Sequence, residues 1–172
     1  MNDRQDSVLK EIKALQIPYE SLPCDPDLAD TADFCRTYGF APENSANAIL
    51  LSGKPKENQA IPFVLCILLA TYRLDVNGVI RKKLDVRKSS FANAEATRQL
   101  TGMEIGGVTP FGLQNQLPIW IDRTVLTRQK IVIGGGSRDR KLLISPNSLL
   151  AIAQAEVVED LAKPAVPILP PK

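Results

Sequence analysis

Leu100-Thr-Gly-Met-Glu-Ile-Gly-Gly-Val-Thr-Pro-Phe-Gly-Leu113 carries four glycines and a proline where no simple hairpin or helix needs them. Glycine permits positive φ and close backbone approach, while proline fixes φ and removes a donor. The segment therefore reads as a built loop that holds exposed N–H groups around a ligand. A second cluster, Gly134-Gly-Gly-Ser-Arg138, follows the apolar run Ile131-Val-Ile133. Two such loops, separated by one strand pattern, predict a single cleft lined by backbone donors. Plain turn chemistry is the competing reading for the second cluster. A loop as long as the first is uncommon in a compact domain unless it is functional.

The surrounding pattern is one α/β domain. Val8, Leu9, Ile12 and Leu15 recur at helical spacing, with Asp3, Asp6 and Ser7 available as caps. A short strand is expected at 19–22, and a helix capped by Asp30 or Thr31 should run through Phe34 and Tyr38 to Gly39. The apolar runs 48–51 and 63–69 predict buried strands joined by a solvated loop, 52–59. Residues 74–84 fit a helix despite Gly78, and the basic set Arg81, Lys82, Lys83, Arg87 and Lys88 reads as its wet face, with RNA contact as the alternative. Asn93 can cap a helix that ends at Gly102 and delivers the chain into the first loop. Strands follow at 117–121, 130–133 and 141–144, which places both loops at strand ends, where ligand sites occur. Ser145-Pro146 opens a helix through Ala153, and 156–158 forms a last strand. The domain is assigned to residues 1–163 and a proline-rich tail to 164–172.

Composition excludes several chemistries. The chain has 172 residues, 44% hydrophobic and 23% charged, which suits a globular protein with a substantial core. Its net charge of +2, from 21 basic and 19 acidic residues, does not argue for a general polyanion coat, so such a site would be local. There is no histidine, which removes the usual general base and the commonest metal ligand. Cys24, Cys35 and Cys66 are odd in number and lack Cys-x-x-Cys spacing, so neither zinc nor a disulfide framework is expected. They read as small buried residues, and a reducing cytoplasm is the expected location. No secretory or membrane-spanning segment is visible, and no cofactor is expected.

The ordered pieces Leu100 to Leu113, then Leu117-Pro-Ile-Trp-Ile-Asp122, then Gly134-Gly-Gly-Ser-Arg138 with Lys141, resemble the YbaK/prolyl-tRNA synthetase-associated domain family. The resemblance spans roughly residues 30–161 and includes the lead-in Asp30-Thr-Ala-Asp-Phe-Cys-Arg-Thr-Tyr-Gly39. It implies a mixed, mostly antiparallel or barrel-like sheet flanked by helices. It also implies a trans-acting hydrolase that removes the wrong amino acid from a charged tRNA, with an aminoacyl-tRNA synthetase as a further partner. Gly106, Gly107, Asn47 and Asp122 are the catalytic positions it suggests. Val108, Thr109, Pro110, Phe111 and Gly112, with Gly134, Gly135, Gly136, Ser137, Arg138 and Lys141, are the substrate-binding ones. No metal is implied. An aminoacyl ester is already activated, so positioning and charge stabilisation can replace an imidazole.

One position departs from the family pattern. Many members carry lysine just before the first buried strand, where this chain reads Ala46-Asn47-Ala48-Ile49. Asparagine donates a hydrogen bond but brings no charge. Lys54 or Lys82 could supply the charge from elsewhere. A non-catalytic module that binds a tRNA end, a nucleotide or an aminoacyl metabolite is the alternative function. For Asp122 the alternative is a cap for 123–126, and for Trp120 a core role stands ahead of base stacking.

Overall fold

The computed structural model describes residues 3–165. In chain order the elements are α1 (Asp3–Ala14), β1 (Tyr19–Pro23), α2 (Thr31–Tyr38), β2 (Ala46–Lys54), β3 (Phe63–Leu69), β4 (Tyr72–Leu74), α3 (Arg81–Leu84), β5 (Lys88–Phe91), α4 (Ala94–Thr101), β6 (Ile119–Asp122), β7 (Ile131–Gly134), β8 (Arg140–Ile144), β9 (Ala155–Val158) and β10 (Ala162–Pro164). They build a five-stranded sheet in the order β5-β2-β3-β6-β9, a three-stranded sheet β1-β8-β7 and a two-stranded ribbon β10-β4. β2 runs antiparallel to both β3 and β5, whereas β3/β6 and β6/β9 are parallel, so the large sheet is mixed. The smaller sheet is antiparallel throughout. A bridge from Ser45 to Val132 brings the two sheets together at β2 and β7.

The main core lies between these sheets. Leu65, Ile67 and Ile119 face Ile131, Ile133 and Leu142, and α1 contributes Val8 and Ile12. Alternate residues of β3, Val64, Cys66 and Leu68, point to a second cluster with Leu74, Ile80 and Trp120. β3 is thus apolar on both faces, which is why its sequence is an unbroken hydrophobic run. Trp120 is buried there, under the Lys83 ammonium at 5.1 Å. Phe34 on α2 covers the outer face of the small sheet with Cys24 and Val132.

Several expectations are corrected. α1 starts at Asp3, so Asp6 and Ser7 fall inside it instead of ahead of it. Leu74 ends a strand, because Ala162 pairs with it across the ribbon to β10. The helix expected from there begins at Val76 with one wide turn, held by the Asp75 carboxylate accepting from the N–H groups of Gly78 and Val79, each at 3.2 Å. Residues Pro146–Ala151 form a tighter three-residue-per-turn helix, not an α-helix. Pro164, the first residue of the expected tail, is paired in β10, and 166–172 lie outside the described residues.

Candidate functional site

The site begins with an uncovered strand edge. β2 pairs with β3 along residues 46–52, but β5 covers the other edge of β2 only from Leu51 to Lys54. Ala70 N–H donates to Ser45 O at 2.8 Å and Gly53 N–H to Pro62 O at 3.0 Å, so odd-numbered residues aim their main-chain groups at β3. Ala48 and Leu50 therefore aim theirs at the open edge, while Ala46 adjoins the Ser45–Val132 bridge to β7. Leu50 O accepts from Ala92 N–H at 2.9 Å. Against this edge lies a cleft of ≈ 370 Å³, lined by residues 46–50, by Ile105, Gly106 and Val108 of the first glycine loop, and by Gly134 and Lys141. Asp30 and Thr31 at the start of α2, with Phe91, Ala92 and Thr97, complete it.

The two glycine segments fold against each other. Gly107 N–H donates to Glu104 O at 2.9 Å, and Gly136 N–H donates to Gly107 O at 2.8 Å. A Cβ on Gly107 would stand 2.6 Å from the Ser137 carbonyl carbon, and one on Gly134 would stand 2.8 Å from that of Val108. Only glycine permits backbones to approach this closely. These bonds leave the Gly106 and Val108 N–H groups with no acceptor among the described residues. Both residues line the cleft, so the donors foreseen in this loop reduce to those two.

Lys141 enters the same cleft from β8. Its Nζ donates to Gly106 O at 2.7 Å and lies 5.8 Å from the Phe34 ring centroid. Burial lowers its pKa from the ordinary 10.5, with nearby Arg138 acting in the same direction and Asp30 against it. Asn47, which also lines the cleft, accepts through Oδ1 from Thr31 Oγ1 at 2.5 Å. That leaves the carboxamide NH2 of Asn47 as the group free to donate. Neither Lys54 nor Lys82 lines the cleft. Lys141 is the one lysine among the lining residues of the cleft.

The remaining expected residues have other work. Arg138 does not line the cleft; it clamps the loop, donating to Pro26 O at 2.9 Å and Ile105 O at 2.7 Å, with Asp30 at 3.3 Å. Gly136 and Ser137 pack against Gly107 of the first loop and Gly135 against Arg140, and none of the three lines the cleft. Thr109, Pro110, Phe111 and Gly112 also turn away from it. Phe111 is fully buried in the main core, a burial worth about 3 kcal/mol, and Gly112 N–H donates to the Glu11 carboxylate of α1. This half of the loop is an anchor. Asp122 is likewise not in the cleft: it accepts from Thr124 N–H at 3.2 Å, Ala162 N–H at 3.0 Å and the Thr124 hydroxyl. The capping reading holds for it.

All three cysteines are free and buried. Burial raises Cys24 above its ordinary value and pushes Cys66 up to about 12, so neither is poised as a thiolate. Among the described residues no group of three or more His, Cys, Asp or Glu is arranged to hold a metal ion. No helix there is long and apolar enough to cross a membrane. Sequence reasoning missed Thr31 as the partner of Asn47, and Phe91, Ala92 and Ile105 as wall residues. Asp30 and Thr31 were legible as helix-start residues, but nothing local told that they face β2.

A family model for the aminoacyl-tRNA editing domain matches residues 25–152, which include every lining residue of the cleft. Among solved structures, hypothetical protein APE2540 is similar with a TM-score of 0.79 and 22% identity, over 91% of this chain and 99% of that one. A protein described as a candidate trans-editing enzyme for prolyl tRNA synthetase gives a TM-score of 0.75 and 20% identity, over 92% of this chain and 97% of that one. At these identities the two structures speak for the fold alone.

Proposed function

The chain belongs to the aminoacyl-tRNA editing domain family, the YbaK/prolyl-tRNA synthetase-associated group, and on that premise we propose that it hydrolyses the ester of mischarged tRNA in trans. The observation that carries this reading is the Lys141 ammonium inside the cleft, 2.7 Å from the Gly106 carbonyl oxygen. It gives a histidine-free site one cation, and it fixes the peptide groups beside the two unpaired amides. Water attacks the acyl carbon, a water oxygen–carbon bond forms, and the ester carbon–oxygen bond breaks. One proton of the water passes, relayed by the neighbouring ribose hydroxyl, to the leaving ribose oxygen, which regains its hydroxyl; the amino acid leaves as a carboxylate and its proton goes to solvent. The Gly106 and Val108 N–H groups and Lys141 stabilise the developing oxyanion, an effect worth about 3 kcal/mol per donor in such sites. Asn47 contributes a neutral donor from β2. The reaction belongs to the cytoplasm, on charged tRNA released by a synthetase.

The test is a panel of mischarged tRNAs, beginning with tRNAPro because one structural neighbour is described in connection with prolyl tRNA synthetase. Purified protein should release amino acid from at least one pair faster than buffer does. Folded protein that accelerates none of them removes the enzymatic reading. The binding-only reading draws on the neutral Asn47, tied to Thr31. Under it, Asn47→Lys would gain hydrolysis in an inert protein, whereas an active protein should lose some.

A further inference from the structure

Outside the cleft, the β2/β5 ribbon carries a second feature suited to an anionic chain. Leu50 faces the main core, and alternate strand residues share a face, so Ser52 and Lys54 follow it on that side. Across the register lie Ala92, Ser90 and Lys88: Ala92 bonds to Leu50, Ser90 pairs with Ser52, and Lys88 pairs with Lys54. Three rungs thus lead out of the cleft, about 7 Å apart: an apolar pair that lines it, a hydroxyl pair, and two lysines. Both lysines are exposed, and neither has a carboxylate within ion-pair distance among the described residues. Nearby cations are engaged, Lys56 with Asp85 and Arg87 with the Lys56 carbonyl. Like charges directly opposed weaken a sheet. Protection of an exposed edge accounts for a lysine on β5, but not for its opposed partner on the inner strand β2.

We propose that this ribbon is the track along which the single-stranded end of an RNA reaches the cleft, with Lys54 and Lys88 taking backbone phosphate and Ser52 and Ser90 bonding the sugar–phosphate between. The direction of the track rests on the cleft receiving the acylated end of a tRNA; the binding itself does not.

The test is fluorescence anisotropy with uncharged tRNA at 50 and 200 mM salt, comparing the intact chain, K54Q/K88Q, and K10Q/K13Q on α1 as a charge-matched control. Two phosphate contacts to a single strand should lower the slope of log affinity against log salt by about 1.4, so the advantage of the intact chain shrinks about sevenfold between the two salts. K54Q/K88Q should melt no lower than the intact chain at low salt, because a mutual repulsion is relieved. An unchanged slope in K54Q/K88Q overturns the proposal, and so does an equal fall in K10Q/K13Q. Lysine-dependent binding of polyglutamate or phosphatidylserine vesicles without binding of tRNA overturns it in favour of a peptide or a membrane. Lysine-dependent tRNA binding by a protein that deacylates no charged tRNA supports the track and removes the chemistry proposed for the cleft.

Discussion

Asp122 and Lys141 are the two buried charged side chains among the described residues, 1% and 6% exposed, and they do opposite work. Each lies in a strand beside an apolar run, β6 for one and β8 for the other, and each was a candidate for the site. Asp122 spends its carboxylate on two backbone N–H groups and a hydroxyl, tying the turn after β6 to β10. The Lys141 ammonium makes one hydrogen bond among the described residues, to a loop carbonyl, and stands in a cleft with room for a ligand. A buried charge with its bonding capacity filled by the chain's own backbone is structural; one with bonds to spare is available for chemistry.

Substitution at Asp122 should have the greatest consequence for the fold. Asp122→Ala strands two backbone donors and should cost about 3 kcal/mol, seen as a fall of about 9 °C in thermal midpoint. Deacylation per folded molecule should stay within about twofold. A stable but inactive Asp122→Ala protein would give the carboxylate a catalytic role.

Next comes Gly107→Val. The added Cβ meets the Ser137 backbone at 2.6 Å, about 1 Å inside ordinary contact, so the two loops must part. A displacement of that size costs about 10²-fold in rate. Steady-state deacylation checks it, with circular dichroism to confirm that the rest of the fold remains.

The pH dependence sharpens the Lys141 side. Burial favours its neutral form in the folded state, so the folded pKa lies below 10.5. Stability linked to this group is full above the unfolded value and is lost as pH falls through the folded one. Activity that depends on the ammonium runs the other way, full at low pH and falling as pH rises through the folded value. The enzyme-dependent rate, corrected for spontaneous ester hydrolysis, should show that falling limb below pH 10.5, and Lys141→Arg should move it beyond the measurable range. The smallest effect expected is that of Asn47→Lys, a loss of up to about tenfold, because a second ammonium in the cleft lowers the Lys141 pKa further.

The fold was legible where local chemistry decides it. Asn93 caps α4 by accepting from Ala96 N–H at 2.8 Å, and Gly39 and Gly102 end α2 and α4 in the left-handed region, as their positions in the pattern require. It was illegible where distant pairing decides it. Leu74 belongs to a strand only because residues near 162 return to pair with it, and the apolar spacing of 74–84 carries no trace of that. The site divides the same way. That the two glycine loops meet could be read from their composition and order. That Phe111 and Gly112 pack on the core and α1 while Ile105, Gly106 and Val108 line the cleft could not, since both halves have the same loop-like composition. Asp122 and Lys141 were inseparable for the same reason, because their partners lie 40 and 35 positions away in sequence.

Everything turns on whether the Lys141 ammonium works on an ester in that cleft. Lys141→Met should be compared with the intact chain in single-turnover deacylation of a mischarged tRNA that the intact chain hydrolyses, with thermal midpoints measured alongside. The expected result is a loss of about 10²-fold in rate with a stability change within about 1 kcal/mol. A Lys141→Met protein that folds and hydrolyses the ester at the full rate would contradict it.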